Sequence, residues 1–160
     1  MTITAAQWKE ISARLKRQWV HMEFSLNGHA ITITRERKSE STTCLAVYID
    51  TIISGKWMVQ VDKVDPNDVF MTGVVSRVWR HKFYPRYTKK QLESIEKDKR
   101  KFGAKFVKEV YGTQPEKTGF TQLLPHFGSS AALVSQYKKI DGLQLVTVLK
   151  PSHEMDGLDV

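Results

Sequence analysis

Twelve lysines and arginines fall in the 32 residues from Arg77 to Lys108, against only Glu93, Glu96 and Asp98. That stretch therefore carries +9 in a chain of 160 residues and net charge +8, which leaves −1 for everything else. Ammonium and guanidinium groups concentrated in this way draw in polyanions, neutralise phosphates and release counterions. Two sub-patterns stand out. Lys90, Lys97, Lys101, Lys105 and Lys108 recur at spacings that fit one face of a helix. In Trp79-Arg80-His81-Lys82-Phe83-Tyr84-Pro85-Arg86-Tyr87, cations alternate with rings. Single-stranded nucleic-acid binders use such mixtures, rings on bases and cations on phosphates. The competing reading makes Trp79, Phe83 and Tyr84 core anchors around a proline-broken joint between helices, with Tyr87 left exposed. The expected binding residues are Arg80, Lys82, Arg86, Tyr87, Lys89, Lys90, Lys97, Lys101, Lys105 and Lys108.

Other chemistry is poorly supported. Glu36-Arg37-Lys38 at one strand end and Asp50 at another are the raw material of a Mg²⁺-dependent nuclease, which needs clustered carboxylates and a lysine near the scissile phosphate. Chance produces such a triplet often, and no aspartate upstream completes it. The five histidines, His21, His29, His81, His126 and His153, have no i,i+3 or i,i+4 partner among themselves or with Cys44, so no zinc site is expected. There is no glycine-rich phosphate loop and no Gly-x-Ser-x-Gly motif. The residues predict a protein that is not an enzyme and needs no metal or cofactor.

The elements that must carry the basic groups follow from periodicity. Trp8, Ile11 and Leu15 predict a helix over residues 5–18 with Thr4 as cap. Val20, Met22, Phe24 and Leu26 alternate with polar residues, Asn27-Gly28 is a hairpin turn, and residues 29–37 and 43–49 give two more strands. Residues 52–61 are expected to return as a fourth strand, with Ser54-Gly55 as a bulge or turn. Asp65-Pro66 predicts the start of a helix reaching Trp79. Thr88 and Gln91 have the spacing of a capping box, and the helix they open is expected to run unbroken to Gly112. On that helix Leu92, Ile95, Phe102, Phe106 and Val110 share one face. Lys90, Lys97, Lys101, Lys105 and Lys108 share the other, in a stripe about 27 Å long. Residues 113–119 read as a linker, Ser129-Ser130 as the start of another helix, and residues 143–149 as a closing strand. The fold class is α+β: an antiparallel meander of four to five strands, an N-terminal helix, and two to three C-terminal helices packed on one face.

The bulk numbers fit a single domain over residues 1–150 and a disordered acidic tail at 151–160. Hydrophobic residues make up 41% of the chain, enough for an ordinary core. The one cysteine, Cys44, lies in an apolar run and reads as a small buried hydrophobe, in keeping with a reducing compartment. No apolar run reaches the roughly 18 residues of a membrane span, and the first residues do not form a signal peptide. A cytoplasmic protein is expected.

Two resemblances add to this. The order helix, three strands, helix, with Lys89-Lys90 opening the basic helix, resembles double-stranded RNA-binding domains, although a strand and a helix intervene and no Gly-Pro-x-His loop is present. Several short motifs span more of the chain: Leu15-Lys16-Arg17, Asn27-Gly28, Leu45-Ala46-Val47-Tyr48-Ile49-Asp50, Ser54-Gly55-Lys56-Trp57, Trp79-Arg80-His81-Lys82, Gly128-Ser129-Ser130-Ala131-Ala132-Leu133 and Leu143-Gln144-Leu145. In these the chain resembles a group of small, uncharacterised accessory proteins of tailed phages and prophages. That resemblance implies a bacterial host's cytoplasm and no catalytic residues. Small phage accessory proteins of this kind include inhibitors of bacterial defence systems, anti-CRISPR proteins among them, so the resemblance adds such a system to the partner expected from the basic segment, which is nucleic acid or a host complex that handles it.

Overall fold

Alternation puts Met22, Phe24 and Leu26 on one side of β1 (His21–Leu26), and the same parity puts Ile31 and Ile33 there on β2 (His29–Arg37) and Leu45, Val47 and Ile49 on β3 (Thr43–Ile49). In the computed structural model, which describes residues 2–149, all eight side chains are buried. The expected tail at 151–160 lies outside the described residues. Asn27 and Gly28 both take positive φ, 51° and 82°, closing the β1–β2 hairpin in the turn their types favour. Two short strands complete the antiparallel sheet in the order β6-β3-β2-β1-β7, with β6 at His126–Phe127 and β7 at Gln144–Leu145.

Helices cover the apolar side. α1 (Ala5–Leu15) is held by Thr4 and Gln7 in a reciprocal capping box and buries Trp8, Ile11 and Leu15. A π-helical turn (Met71–Val75) runs into α2 (Ser76–Val78) and contributes Met71, Val74, Val75 and Val78. α5 (Ser130–Tyr137), capped by Ser129, contributes Leu133, Val134 and Tyr137. Rings knit these layers together, Phe24 lying 6.2 Å from Trp8 and 5.7 Å from Tyr137 between centroids. The Tyr137 hydroxyl donates to the Val78 carbonyl at 2.8 Å, and burial pushes this phenol well above its ordinary pKa. Cys44 is free and buried on the opposite side of β3.

The α+β class and the three-strand meander stand as the sequence predicts. Four expectations outside the basic helix do not. Residues 52–61 form no fourth strand. Asp50 and Thr51 turn the chain with φ of 51° and 69°, Ile52 bridges only to Ile49, and Ser54 caps a 3₁₀ turn at Gly55–Trp57. The β3 edge that such a strand would need is taken by β6. The helix before Trp79 is capped by Asp68, whose carboxylate accepts from Met71 N at 3.0 Å, and Asp65 instead closes a turn on Asn67 N. The closing strand shrinks to Gln144–Leu145, because Val146 and Thr147 both donate to the single carbonyl of Glu23. The segment Trp79–Tyr87 is no joint between helices: β4 (Arg80–Pro85) pairs with β5 (Gly119–Leu124), in what reads as linker and loop, to make a separate two-stranded ribbon. No helix among the described residues is long and apolar enough to cross a membrane.

Candidate nucleic-acid interface

The ribbon is rooted in the body at one end. Trp79, just before β4, is fully buried, with its indole N–H donating to Val47 O at 3.2 Å and its ring 5.7 Å from Trp57. Leu123 is buried beside it, and its N–H donates to Val59 O at 3.0 Å. The register Arg80↔Leu124 through Pro85↔Gly119 makes Pro85 and Gly119 the far end, about 17 Å away along the strands. Close packing there requires glycine. A Cβ on Gly119 would lie 2.2 Å from the Tyr84 carbonyl oxygen and 2.9 Å from the Phe83 ring.

The far end carries two helices. α3 (Lys89–Phe102) opens on Thr88 and Gln91, which exchange side-chain and backbone bonds of 3.1 and 2.7 Å in the expected capping box. It stops at Gly103, where φ of 94° and ψ of 163° suit only glycine. Gly103 N closes α3 on Lys99 O, and its own carbonyl accepts from Val107 N to start α4 (Ala104–Tyr111). The single helix expected from Thr88 to Gly112 is thus two. Ile95 and Val107 are buried and line a cleft of about 450 Å³ with Leu92, Ala104 and Pro115, apart from the main core. Tyr111 fixes the end of α4. Its hydroxyl donates to Asp98 at 3.1 Å, which pushes the phenol above its ordinary pKa, and its ring meets Tyr87 edge-on at 6.0 Å.

This break changes the basic stripe. Lys90, Lys97 and Lys101 stay together on α3, within about 40° of arc and about 16 Å of length. Lys105 and Lys108 belong to α4, and Lys108 turns into the cleft beside Lys99, Glu96 and Glu116. The 27 Å stripe is not formed. Arg80 and Lys82 lie on the ribbon, on one face with Tyr84, and the Lys82 ammonium sits 4.9 Å over the Tyr84 ring. Arg86 covers Tyr87 at 5.6 Å, so Tyr87 is a packed, half-buried residue and not an exposed ring. Lys89 is exposed in the first turn of α3. Among the described residues, no lysine or arginine from Arg77 to Lys108 is ion-paired to a carboxylate.

Sequence reasoning missed the second strand of the ribbon and its ring Phe120, which stacks on Tyr84 with centroids 5.2 Å apart and planes 23° apart. It read Arg37 and Lys38 only as part of the nuclease triplet, whereas they meet Arg80 and Lys82 across a cleft of about 380 Å³. Cys44 lies in the same cleft, its thiol pushed up chiefly by burial and then by Glu36. Phe120 follows Gly119 in a stretch with no apolar alternation, and Arg37 sits more than forty residues before Arg80 in sequence, so only the folded sheet joins them. Glu36 and Asp50, the carboxylates of the nuclease reading, are kept apart. Glu36 pairs with Cys44 at one end of the β2–β3 ladder, and Asp50 binds Ala30 N at the other. Glu36 accepts from the Tyr48 hydroxyl, which raises the Tyr48 pKa, and Asp50 accepts from His29 at 2.6 Å. Among the described residues no group of three or more His, Cys, Asp or Glu could hold a metal ion. Compared with protein-family models, with curated proteins and with solved structures, the chain gives no significant match.

Proposed function

We propose that the protein is a non-enzymatic nucleic-acid-binding accessory protein whose contact element is the ribbon and helix pair between Arg80 and Leu124. One observation carries this: twelve cations against five carboxylates in residues 80–124, +7 of the chain's +8, with none of the cations ion-paired among the described residues. Ordinary solvated helices mix acids with lysines at i,i+4, and their charges cancel at short range. On α3 the mixture is unequal: six cations stand against three carboxylates, and although Glu93 lies four residues before Lys97, no ion pair forms on this helix among the described residues. Binding to nucleic acid should weaken steeply from low to moderate salt, by counterion release. Reversing Lys97, Lys101 and Lys105 to Glu should cost at least about 100-fold in affinity at low salt while leaving the melting temperature in place. A flat salt dependence sinks the reading.

One observation favours a second reading. Phe102 and Val110 are more than half exposed beside these lysines, with Phe106 against Phe102 at 5.0 Å. A protein partner with an acidic, partly apolar surface would bury them. An inhibitor of a host defence complex, the role the phage resemblance implies, would work in this way. Capture from host lysate with and without nuclease separates the two. A stoichiometric partner that survives nuclease favours the inhibitor, and one that disappears favours nucleic acid.

A further inference from the structure

The cationic arm says nothing by itself about single versus double strands, because phosphates are common to both. The ribbon does. Side chains alternate along β4, so Arg80, Lys82 and Tyr84 project from one face at intervals of about 6.6 Å, and their partners across the strands are Leu124, Gln122 and Phe120. On that face Phe120 stacks on Tyr84 at 5.2 Å and keeps 41% of its surface exposed. A ring pair used only for structure would close over the core. This pair stands at the end of the ribbon away from Leu123, and neither ring belongs to the main cluster of buried side chains. The Lys82 ammonium over Tyr84 adds a cation to the stack. Toward the body, the same face opens into the cleft lined by Arg37, Lys38, Arg80 and Lys82. Glu36 is the one carboxylate lining it among the described residues, and its oxygen already accepts from Tyr48 and, at 3.4 Å, from Thr34.

The geometry points to Tyr84 and Phe120 as a stacking platform for unpaired bases, with the cleft beyond it receiving the phosphates of the same strand. The ligand class is single-stranded nucleic acid. In a duplex the base faces are stacked on one another and closed to these rings, whereas each unpaired base has a free π-face and can stack at any sequence. This inference rests on the proposed function but can fail without it.

The test uses the full chain, a fluorescein-labelled 20-nucleotide oligothymidylate and a 20-base-pair duplex, in fluorescence anisotropy at low salt. The oligothymidylate is expected to bind at least tenfold more tightly than the duplex. Tyr84→Ala and Phe120→Ala should each weaken it by about five- to 100-fold, with little effect on the duplex. Phe120→Leu keeps the apolar bulk, and so guards against loss of fold, but it should still lose most of the single-strand preference. Photocrosslinking of an oligonucleotide bearing 5-iodouracil, mapped by mass spectrometry, should place adducts on Tyr84 or Phe120. Equal affinity for both probes, wild-type binding by the folded ring variants or adducts confined to α3 and α4 would overturn the platform and leave the basic-arm reading standing. If neither probe binds at low salt, both readings are overturned.

Discussion

The sheet body and the cationic arm are held together by different physics. In the body, three elements press onto one side of five strands, and side chains from Trp8 to Leu143 form one continuous buried cluster. In the arm, a two-stranded ribbon carries two helices that bury Ile95 and Val107 around Pro115 and little else, while Phe102, Phe106 and Val110 stay at the surface. An isolated two-stranded ribbon is marginal in water. The arm is ordered because Trp79 and Leu123 plug its root into the body. The body carries about +1 and the arm +7. Stability sits in one region and charge in the other, which lets the charged surface accept self-repulsion without loading the core.

The sharpest way to break this contrast is to remove the arm. Replacing residues 86–118 by Asn-Gly joins Pro85 to Gly119, which are already paired, through a two-residue hairpin. Duplex binding should vanish, and single-strand binding should fall to what the remaining ribbon face supplies. The far-ultraviolet spectrum should lose helix, and the melting transition of the sheet should stay cooperative and close to the parent's. Collapse of the sheet on excision would show that the arm is structural.

A smaller effect separates the regions by single side chains. Phe24→Ala empties a site touching Trp8 and Tyr137 and should cost about 3–5 kcal/mol of global stability. Ile95→Ala removes comparable apolar bulk from the small cluster and should leave the global transition nearly unchanged. Its cost should appear in hydrogen exchange, as faster opening of α3 and α4 alone. Equal effects on global unfolding would mean that body and arm are one cooperative unit.

The same contrast explains what could be read from the residues. The body was legible where local chemistry decides. Alternation and Asn27-Gly28 set β1, β2 and β3, and hydroxyls at Thr4 and Ser129 mark helix starts. It was illegible where an edge is claimed from afar, as when His126–Phe127 takes the place expected for residues 52–61. In the arm, β4 alternates cations with rings instead of apolar with polar, and its partner lies more than thirty residues downstream, so no local pattern announces a strand. Charge marks the candidate site as a segment, but its shape depends on Gly103. A glycine inside a helical pattern costs only about 1 kcal/mol against alanine and is often absorbed. What decides for a break is the packing of Ile95 and Val107 with Pro115, which exists only once the second helix has folded back.

Gly103 can therefore be tested directly. Nothing lies within 4 Å of the Cβ that alanine would add, so the penalty of Gly103→Ala is conformational, about 1–3 kcal/mol at a φ of 94°. It should fall on the arm alone. Hydrogen exchange at Val107 N, which bonds Gly103 O, should accelerate while the amides of β2 and β3 keep their protection. Loss of protection in the sheet would contradict the division.

The smallest expected effect belongs to the body and reads its electrostatics. Asp50 turns the chain after β3 with its backbone in the left-handed region, and its carboxylate accepts from His29 at 2.6 Å and from Ala30 N at 3.0 Å. These bonds, the His29 contact first, hold its pKa below the ordinary 3.8. The unfolded chain then binds more protons than the folded one between the two pKa values. The stabilisation is complete above the ordinary pKa and fades as pH falls through the lowered one. Asp50→Asn keeps a residue that tolerates positive φ and can still accept from Ala30, so it removes the charge with little change in backbone preference. Because the side chain is nearly half exposed, the parent should exceed the variant by less than about 1 kcal/mol at pH 7. That gap should close as unfolding is measured from pH 5 down to pH 2. A gap that stays constant over this range would mean that the bond to Ala30, and not the charge, makes the contribution.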